Sequence, residues 1–357
     1  MIKNRPTTAS RLRSRLSDGG CRGSSGLRAA ALPLLLAIPL LGAGHRPAPE
    51  PVELLRRVAA GPTRGYEGHM TVIRWYGGKT SADDARVFFH PPNRYRWEFL
   101  APDGKIERLV VSDGEKESIH LIGQNRVLEG SALKSAPKPQ GTDWNLELLL
   151  KNYRIESLGE GRSAGRSAWG LDIVSKDPRK PGQRMWIDQE TYAVLESRLY
   201  RGKGRFTVLS RLSRFEPRSD PDDSLFSFQA PAGASVEEHS LDPDYFSLEE
   251  LRKATGQRFD FPQELAGGFV FESADLFEVD KNSVRQARYT DGLAEISLFQ
   301  TDRRIRVPRE AASLLPRPGD LGLTGAGRFL RFKRGRIHYA LIGDVSKELL
   351  SQIAARL

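Results

Sequence analysis

Arg94-Tyr95-Arg96-Trp97-Glu98-Phe99 alternates charged and aromatic side chains without a break. Successive side chains of a β-strand point to opposite faces, so Tyr95, Trp97 and Phe99 share one face while Arg94, Arg96 and Glu98 share the other. A strand with one buried and one wet face belongs in an antiparallel sheet. The flanking sequence continues the pattern. Upstream, residues 66–75 and 86–90 bracket the turn-rich Gly77-Gly78-Lys79-Thr80-Ser81 and read as a hairpin. Downstream, Arg108-Leu109-Val110-Val111, the turn Ser112-Asp113-Gly114 and Ser118-Ile119-His120-Leu121 read as another. Further strands are expected over residues 169–174, 183–188, 194–200 and 205–215. About eight consecutive antiparallel strands with few helices predict one strongly curved sheet, a half-barrel whose hollow side is filled by helices or by a ligand.

Two helices are available to fill it. Residues 51–58 place Pro51 in the first turn and Leu54, Leu55 and Val58 on one side, ending at Gly61-Pro62. Residues 144–153 put Leu146, Leu149 and Leu150 on one side, with Asp143 suited to cap.

The periodicity lapses between Glu216 and Asp244, where Pro217-Arg218-Ser219-Asp220-Pro221-Asp222-Asp223 and Ala230-Pro231-Ala232-Gly233-Ala234 intervene. Such a Pro-rich connector predicts motion between the parts it joins. Beyond it, Ser247-Leu248-Glu249-Glu250 is a capping box, with Phe246 and Leu251 spaced as a hydrophobic staple. Strands are expected at 268–271, 283–289, 294–301, 328–333 and 335–342. Ser346 then caps a last helix lined by Leu349, Leu350, Ile353 and Leu357. The fold class is α+β: the half-barrel with a few covering helices, then a smaller C-terminal α+β domain.

The 357 residues, 39% hydrophobic and 28% charged, exceed what one core usually serves and exclude a disordered chain. The net charge of +10 is concentrated at the start. Residues 1–44 hold Lys3, Arg5, Arg11, Arg13, Arg15, Arg22 and Arg28 against one acid, Asp18, so the remainder makes a weak case for nucleic acid. Those residues read as an export signal, a basic region followed by the apolar run from Ala29 to Leu41 and then Gly42-Ala43-Gly44. The run is too short to span a bilayer. The only cysteine, Cys21, precedes it, so no lipid-modified cysteine follows the signal, and an exported chain has no thiol chemistry or disulfide. The expected organisation is a signal at 1–44, a Pro-rich spacer at 45–50, a large domain at 51–216, a linker at 217–244 and a second domain at 245–357.

No catalytic constellation emerges. His-Glu-x-x-His, Gly-x-Ser-x-Gly and a phosphate loop are missing, since Gly322-Leu323-Thr324-Gly325-Ala326-Gly327 lacks the lysine. His45, His69, His90, His120, His239 and His338 are scattered without ligand spacing, and Asp220, Asp222 and Asp223 lack the rest of a calcium loop. No enzyme, metal or cofactor is expected. Two surfaces invite binding. Val87, Phe89, Tyr95, Trp97 and Phe99 form an apolar face able to hold an acyl chain, at roughly 0.8 kcal/mol per buried CH₂, or equally to serve as core. Arg198, Arg205 and Arg211 are candidates for contact with an anionic partner, Arg205 and Arg211 sharing a face on a two-residue period, or else a solvated surface.

Lys151-Asn152-Tyr153-Arg154-Ile155, Trp169-Gly170-Leu171-Asp172-Ile173-Val174, Met185-Trp186-Ile187-Asp188-Gln189-Glu190-Thr191 and Val194-Leu195-Glu196-Ser197 together resemble the MucB/RseB family. Phe261-Pro262-Gln263-Glu264-Leu265-Ala266-Gly267-Gly268-Phe269, Tyr289-Thr290-Asp291-Gly292-Leu293-Ala294-Glu295 and Gly343-Asp344-Val345 are similar to its C-terminal module. The resemblance implies a periplasmic protein that binds the periplasmic part of a membrane-bound anti-sigma factor of the RseA/MucA kind. It protects that factor from proteolysis until a lipid-like signal arrives, and so restrains an envelope-stress sigma factor. The large domain would be similar to the lipoprotein carriers LolA and LppX, and a carrier of that type is the alternative function.

Overall fold

The structure is a computed structural model that describes residues 48–76, 79–132, 145–202, 204–218, 220–238, 243–256, 260–279, 282–302 and 328–357. The expected export signal with Cys21, the Asp143 cap and the glycine-rich run at 322–327 lie outside the described residues. Among the described residues no helix is long and apolar enough to cross a membrane.

Helix α1 (Pro51–Ala60) starts on Pro51 and buries Leu54, Leu55 and Val58. Strands β1 (Gly65–Tyr76), β2 (Lys79–His90), β3 (Arg94–Leu100), β4 (Ile106–Ser112), β5 (Lys116–Leu121) and β6 (Arg126–Ser131) follow as a meander. Helix α2 (Leu146–Asn152) is capped by the side chain of Asn145, which accepts from the Leu148 amide, and it ends where Tyr153 turns extended. Strands β7 (Tyr153–Ser163), β8 (Arg166–Ser175), β9 (Pro181–Asp188), β10 (Val194–Arg201) and β11 (Arg205–Arg218) make a second meander. Pairing of β1 with β11 joins the two into one sheet.

Together with β12 (Ser235–Glu238) the sheet has twelve strands, in the order β12-β6-β5-β4-β3-β2-β1-β11-β10-β9-β8-β7. It is strongly curved, a half-barrel. β8 and β11 are separated by two strands, about 14 Å in a flat sheet. Even so, the Arg166 guanidinium of β8 lies 5.5 Å from the centre of the Phe215 ring of β11. The strand count exceeds the expected eight because β6, β7 and β12 carry too many charged or small residues to show alternation.

The stretch at 217–238 is tied to this sheet. Asp222 caps a short 3-10 turn at Asp223–Phe226, Phe226 is buried, and β12 pairs in parallel with β6.

The second sheet comprises β13 (Glu264–Leu265), β14 (Phe269–Val279), β15 (Asn282–Thr290), β16 (Glu295–Thr301), β17 (Arg328–Arg334) and β18 (Ile337–Gly343), in the order β13-β14-β15-β16-β18-β17. Helices α3 (Leu248–Thr255) and α4 (Lys347–Arg356) cover it, burying Leu251, Leu349, Leu350 and Ile353 with Phe269, Tyr289, Leu298 and Leu341. Ser247 and Ser346 cap these helices as their positions predict, accepting from the amides of Glu250 and Leu349. The expected staple is not buried. Phe246 is 65% exposed, because the Glu250 carboxylate reaches back to its amide and holds the chain entry facing solvent.

Candidate functional site

Strand register decides which side chains share the hollow face. Three rows cross the strands β1 to β5. The first is Tyr66, Phe89, Tyr95, Ser112 and Glu117, and the second Gly68, Val87, Trp97, Val110 and Ile119. The third is Met70, Ala85, Phe99, Arg108 and Leu121. All five aromatic and aliphatic candidates therefore lie side by side, with Val87, Phe89, Tyr95, Trp97 and Phe99 between 1% and 4% exposed. Tyr66 meets Phe89 and Phe215 with ring centres 5.3 and 5.0 Å apart, and Trp97 stands 6.4 and 6.3 Å from Tyr95 and Phe99. In the middle row Gly68 takes no side chain, since a Cβ there would lie 2.6 Å from the Arg214 carbonyl oxygen.

The helices cover a different stretch of this face from the aromatic stripe. Val72 faces Ser210, Ser210 faces Ser197, Ser197 faces Met185 and Met185 faces Leu171, so those residues lie on the same side as Trp97. There α1 and α2 plug the sheet, with Leu54, Leu55, Val58 and Leu149 against Leu171, Ile173, Met185 and Ile187. The cluster holding Tyr95, Trp97 and Phe99 is different: its described members come from strands and the turns joining them.

Besides Ser112, two charged side chains interrupt the apolar rows, and the sequence reading missed both. Glu117 is 3% exposed; one carboxylate oxygen accepts from the Tyr95 hydroxyl, and the other, Oε1, has no hydrogen-bond partner among the described residues. Burial pushes the Glu117 carboxyl up to about 7. It also raises the Tyr95 phenol far above its ordinary value, with the neighbouring Glu117 charge adding to the effect, so Tyr95 remains a donor. At the opposite end of the rows the Arg108 guanidinium lies over the Phe99 ring, 3.9 Å from its centre, and burial lowers its pKa. The signal for Glu117 was its phase, since it alternates with Ile119 and Leu121, but its position two residues after the Glu115 turn reads as solvated.

The basic candidates are not one patch. Arg198 and Arg211 both reach the buried Glu196 carboxylate, at 2.5 and 3.4 Å. Arg205 faces Arg201, and Arg211 faces Glu196 five residues earlier on β10. The expectation that Arg205 and Arg211 share a face is thus overturned: a bulge near Thr207 adds a residue to β11 and reverses the alternation. Among the described residues no group of three or more His, Cys, Asp or Glu side chains is placed to hold a metal ion.

Residues 90–222, which include β3 to β11 and most of the aromatic rows, match the family model of the MucB/RseB N-terminal domain. That stretch is similar to a MucB/RseB N-terminal domain. Over 210 residues it is 24% identical to the sigma factor AlgU regulatory protein MucB of Pseudomonas aeruginosa, covering 57% of this chain and 63% of that one. The fold of two solved MucB structures extends beyond the MucB/RseB domain. The crystal structure of MucB in complex with MucA(peri) has a TM-score of 0.53 and covers 85% of this chain and 97% of its own. The Pseudomonas aeruginosa MucA/MucB complex has a TM-score of 0.54 and covers 85% and 96%; both are 18% identical in sequence.

Proposed function

We propose that this protein is a periplasmic regulatory binding protein that holds the periplasmic part of a membrane-bound anti-sigma factor and so restrains an envelope-stress sigma factor. The observation that carries the reading is the match of its fold, across both sheets, to MucB structures solved with MucA. In this reading residues 1–44 direct export, residues 51–216 and 245–357 are the two modules, and no step of catalysis is involved. The large sheet holds a lipid-like ligand against Trp97 and its neighbours, where strands and their turns rather than helices build the cluster. Arg198, Arg205 and Arg211 offer contacts to acidic segments of the partner.

The test is capture from detergent-solubilised membranes with the purified protein as bait. Recovery of a single-span anti-sigma protein is the expected result. Recovery of lipoproteins without it would overturn the regulator reading in favour of a carrier of the LolA/LppX type.

A further inference from the structure

The lipid-like ligand proposed for the hollow face meets an apolar surface at Trp97 and its neighbours. Glu117 supplies information about its polar end. The side chain shares its row with Phe89, Tyr95 and Ser112, and across β6 it faces Gly130, which adds no side chain. Among the described residues Glu117 forms no ion pair, and its side chain accepts from the Tyr95 hydroxyl alone. Arg108, the cation within these three rows, lies four residues along β4 from Ser112, roughly 13 Å away. A carboxylate oxygen can only accept, so whatever satisfies Oε1 must donate. Leaving it unsatisfied in apolar surroundings is costly, and a leucine would fill nearly the same space without that cost.

We propose that Glu117 is the polar anchor of a ligand site on this face, accepting a hydrogen bond from the buried end of an alkyl amphiphile that terminates in a donor, a primary ammonium or a hydroxyl. The site rests on the lipid-holding reading of the face and adds to it a chemical class. The alkyl body lies along Val87, Trp97 and Phe99, and Arg108 marks the far end of the rows. Tyr95 holds the second carboxylate oxygen and thereby fixes the direction in which Oε1 presents its lone pairs.

The test is calorimetric titration of the purified protein at pH 8 with dodecylamine, dodecanol and dodecanoate, each below its aggregation concentration. Dodecylamine is expected to bind about tenfold or more tighter than dodecanoate, with dodecanol between them, as a charge-assisted hydrogen bond requires. In Glu117→Gln the preference for the amine is expected to collapse to near parity while dodecanol binding persists. Equal binding of the three probes by the unsubstituted protein overturns the anchor and leaves the lipid-holding face standing. So does an amine preference that survives Glu117→Gln. Binding of none of the probes by the unsubstituted protein overturns the lipid-holding face and the anchor with it.

Discussion

Lys180 Nζ lies 2.9 Å from Asp291 Oδ2, and the two side chains are 2% and 0% exposed. Lys180 precedes β9 in the twelve-stranded sheet, and Asp291 sits on the turn between β15 and β16 in the other, so this ion pair joins the two sheets. Its remaining bonds are satisfied. Tyr153 donates to the same aspartate oxygen at 2.8 Å, Asp291 Oδ1 accepts from the amides of Leu293 and Ala294, and Lys180 also reaches the Gly267 carbonyl. Burial and then the Asp291 charge raise the Tyr153 phenol, keeping it a donor. A second ion pair, Arg201 with Asp344, and the bond from the Ser346 amide to the Arg179 carbonyl run across the same seam. The motion suggested by the Pro-rich connector is opposed by this seam.

Removing one partner of the Lys180–Asp291 pair strands the other charge in a dry site. Lys180→Met and Asp291→Asn are each expected to cost about 3–5 kcal/mol in urea unfolding. The double substitution is expected to cost less than the two single losses combined, which a double-mutant cycle reads directly. Additive losses would show that the pair does not couple the sheets.

Gly292 tests the same seam by shape. Its φ is +100°, and a Cβ there would lie 2.4 Å from the Leu149 backbone nitrogen in the middle of α2. Gly292→Ala is expected to destabilise by more than about 1 kcal/mol and to expose the connector to limited proteolysis. Gly335→Ala, at a positive φ but with open space around it, is the control and is expected to leave protease resistance unchanged.

Glu117 makes stability depend on pH. Its carboxyl rises from an ordinary 4.5 to about 7 in the folded chain, so the folded state binds the proton more tightly than the unfolded state does. Its contribution is therefore fully present below about pH 4.5 and is lost as the pH rises through 7, a fall on the order of 3 kcal/mol across that window. Glu117→Gln is expected to flatten this segment of the stability profile and to raise the melting temperature at pH 8. An unchanged slope between pH 5 and 7 would refute the assignment.

Arg211 is expected to matter to the partner more than to the fold. Its removal leaves Glu196 bonded to Arg198, so Arg211→Ala is predicted to change stability by less than about 1 kcal/mol. Capture of an acidic partner is expected to weaken and to lose part of its salt sensitivity. Binding by surface titration at two salt concentrations, with Arg205→Ala as a comparison on the opposite face, measures both effects.

Local patterning made the strands legible where one face is dry and the other wet. In β3 the alternation is complete, and all five candidates on the aromatic face are buried side by side. It failed in β7, where most side chains are exposed on both faces, and in β11, where one inserted residue reverses the faces of Arg205 and Arg211. A bulge depends on the partner strand and leaves no trace in a two-residue period. Glu117 was hidden for a related reason: its neighbours in sequence are polar, and only the rows formed by β3 and β4 bury it.

Sequence alone determined the antiparallel meander, the helix caps at Ser247 and Ser346 and the apolar face of β2 and β3, because each rests on contacts between residues close in the chain or on a fixed period. The tertiary structure decided the closure of two meanders through β1 and β11, the burial of an unpaired carboxylate among aromatic rings and the meeting of Lys180 with Asp291. Those residues are far apart in sequence, and their energies come from the removal of water when distant surfaces meet.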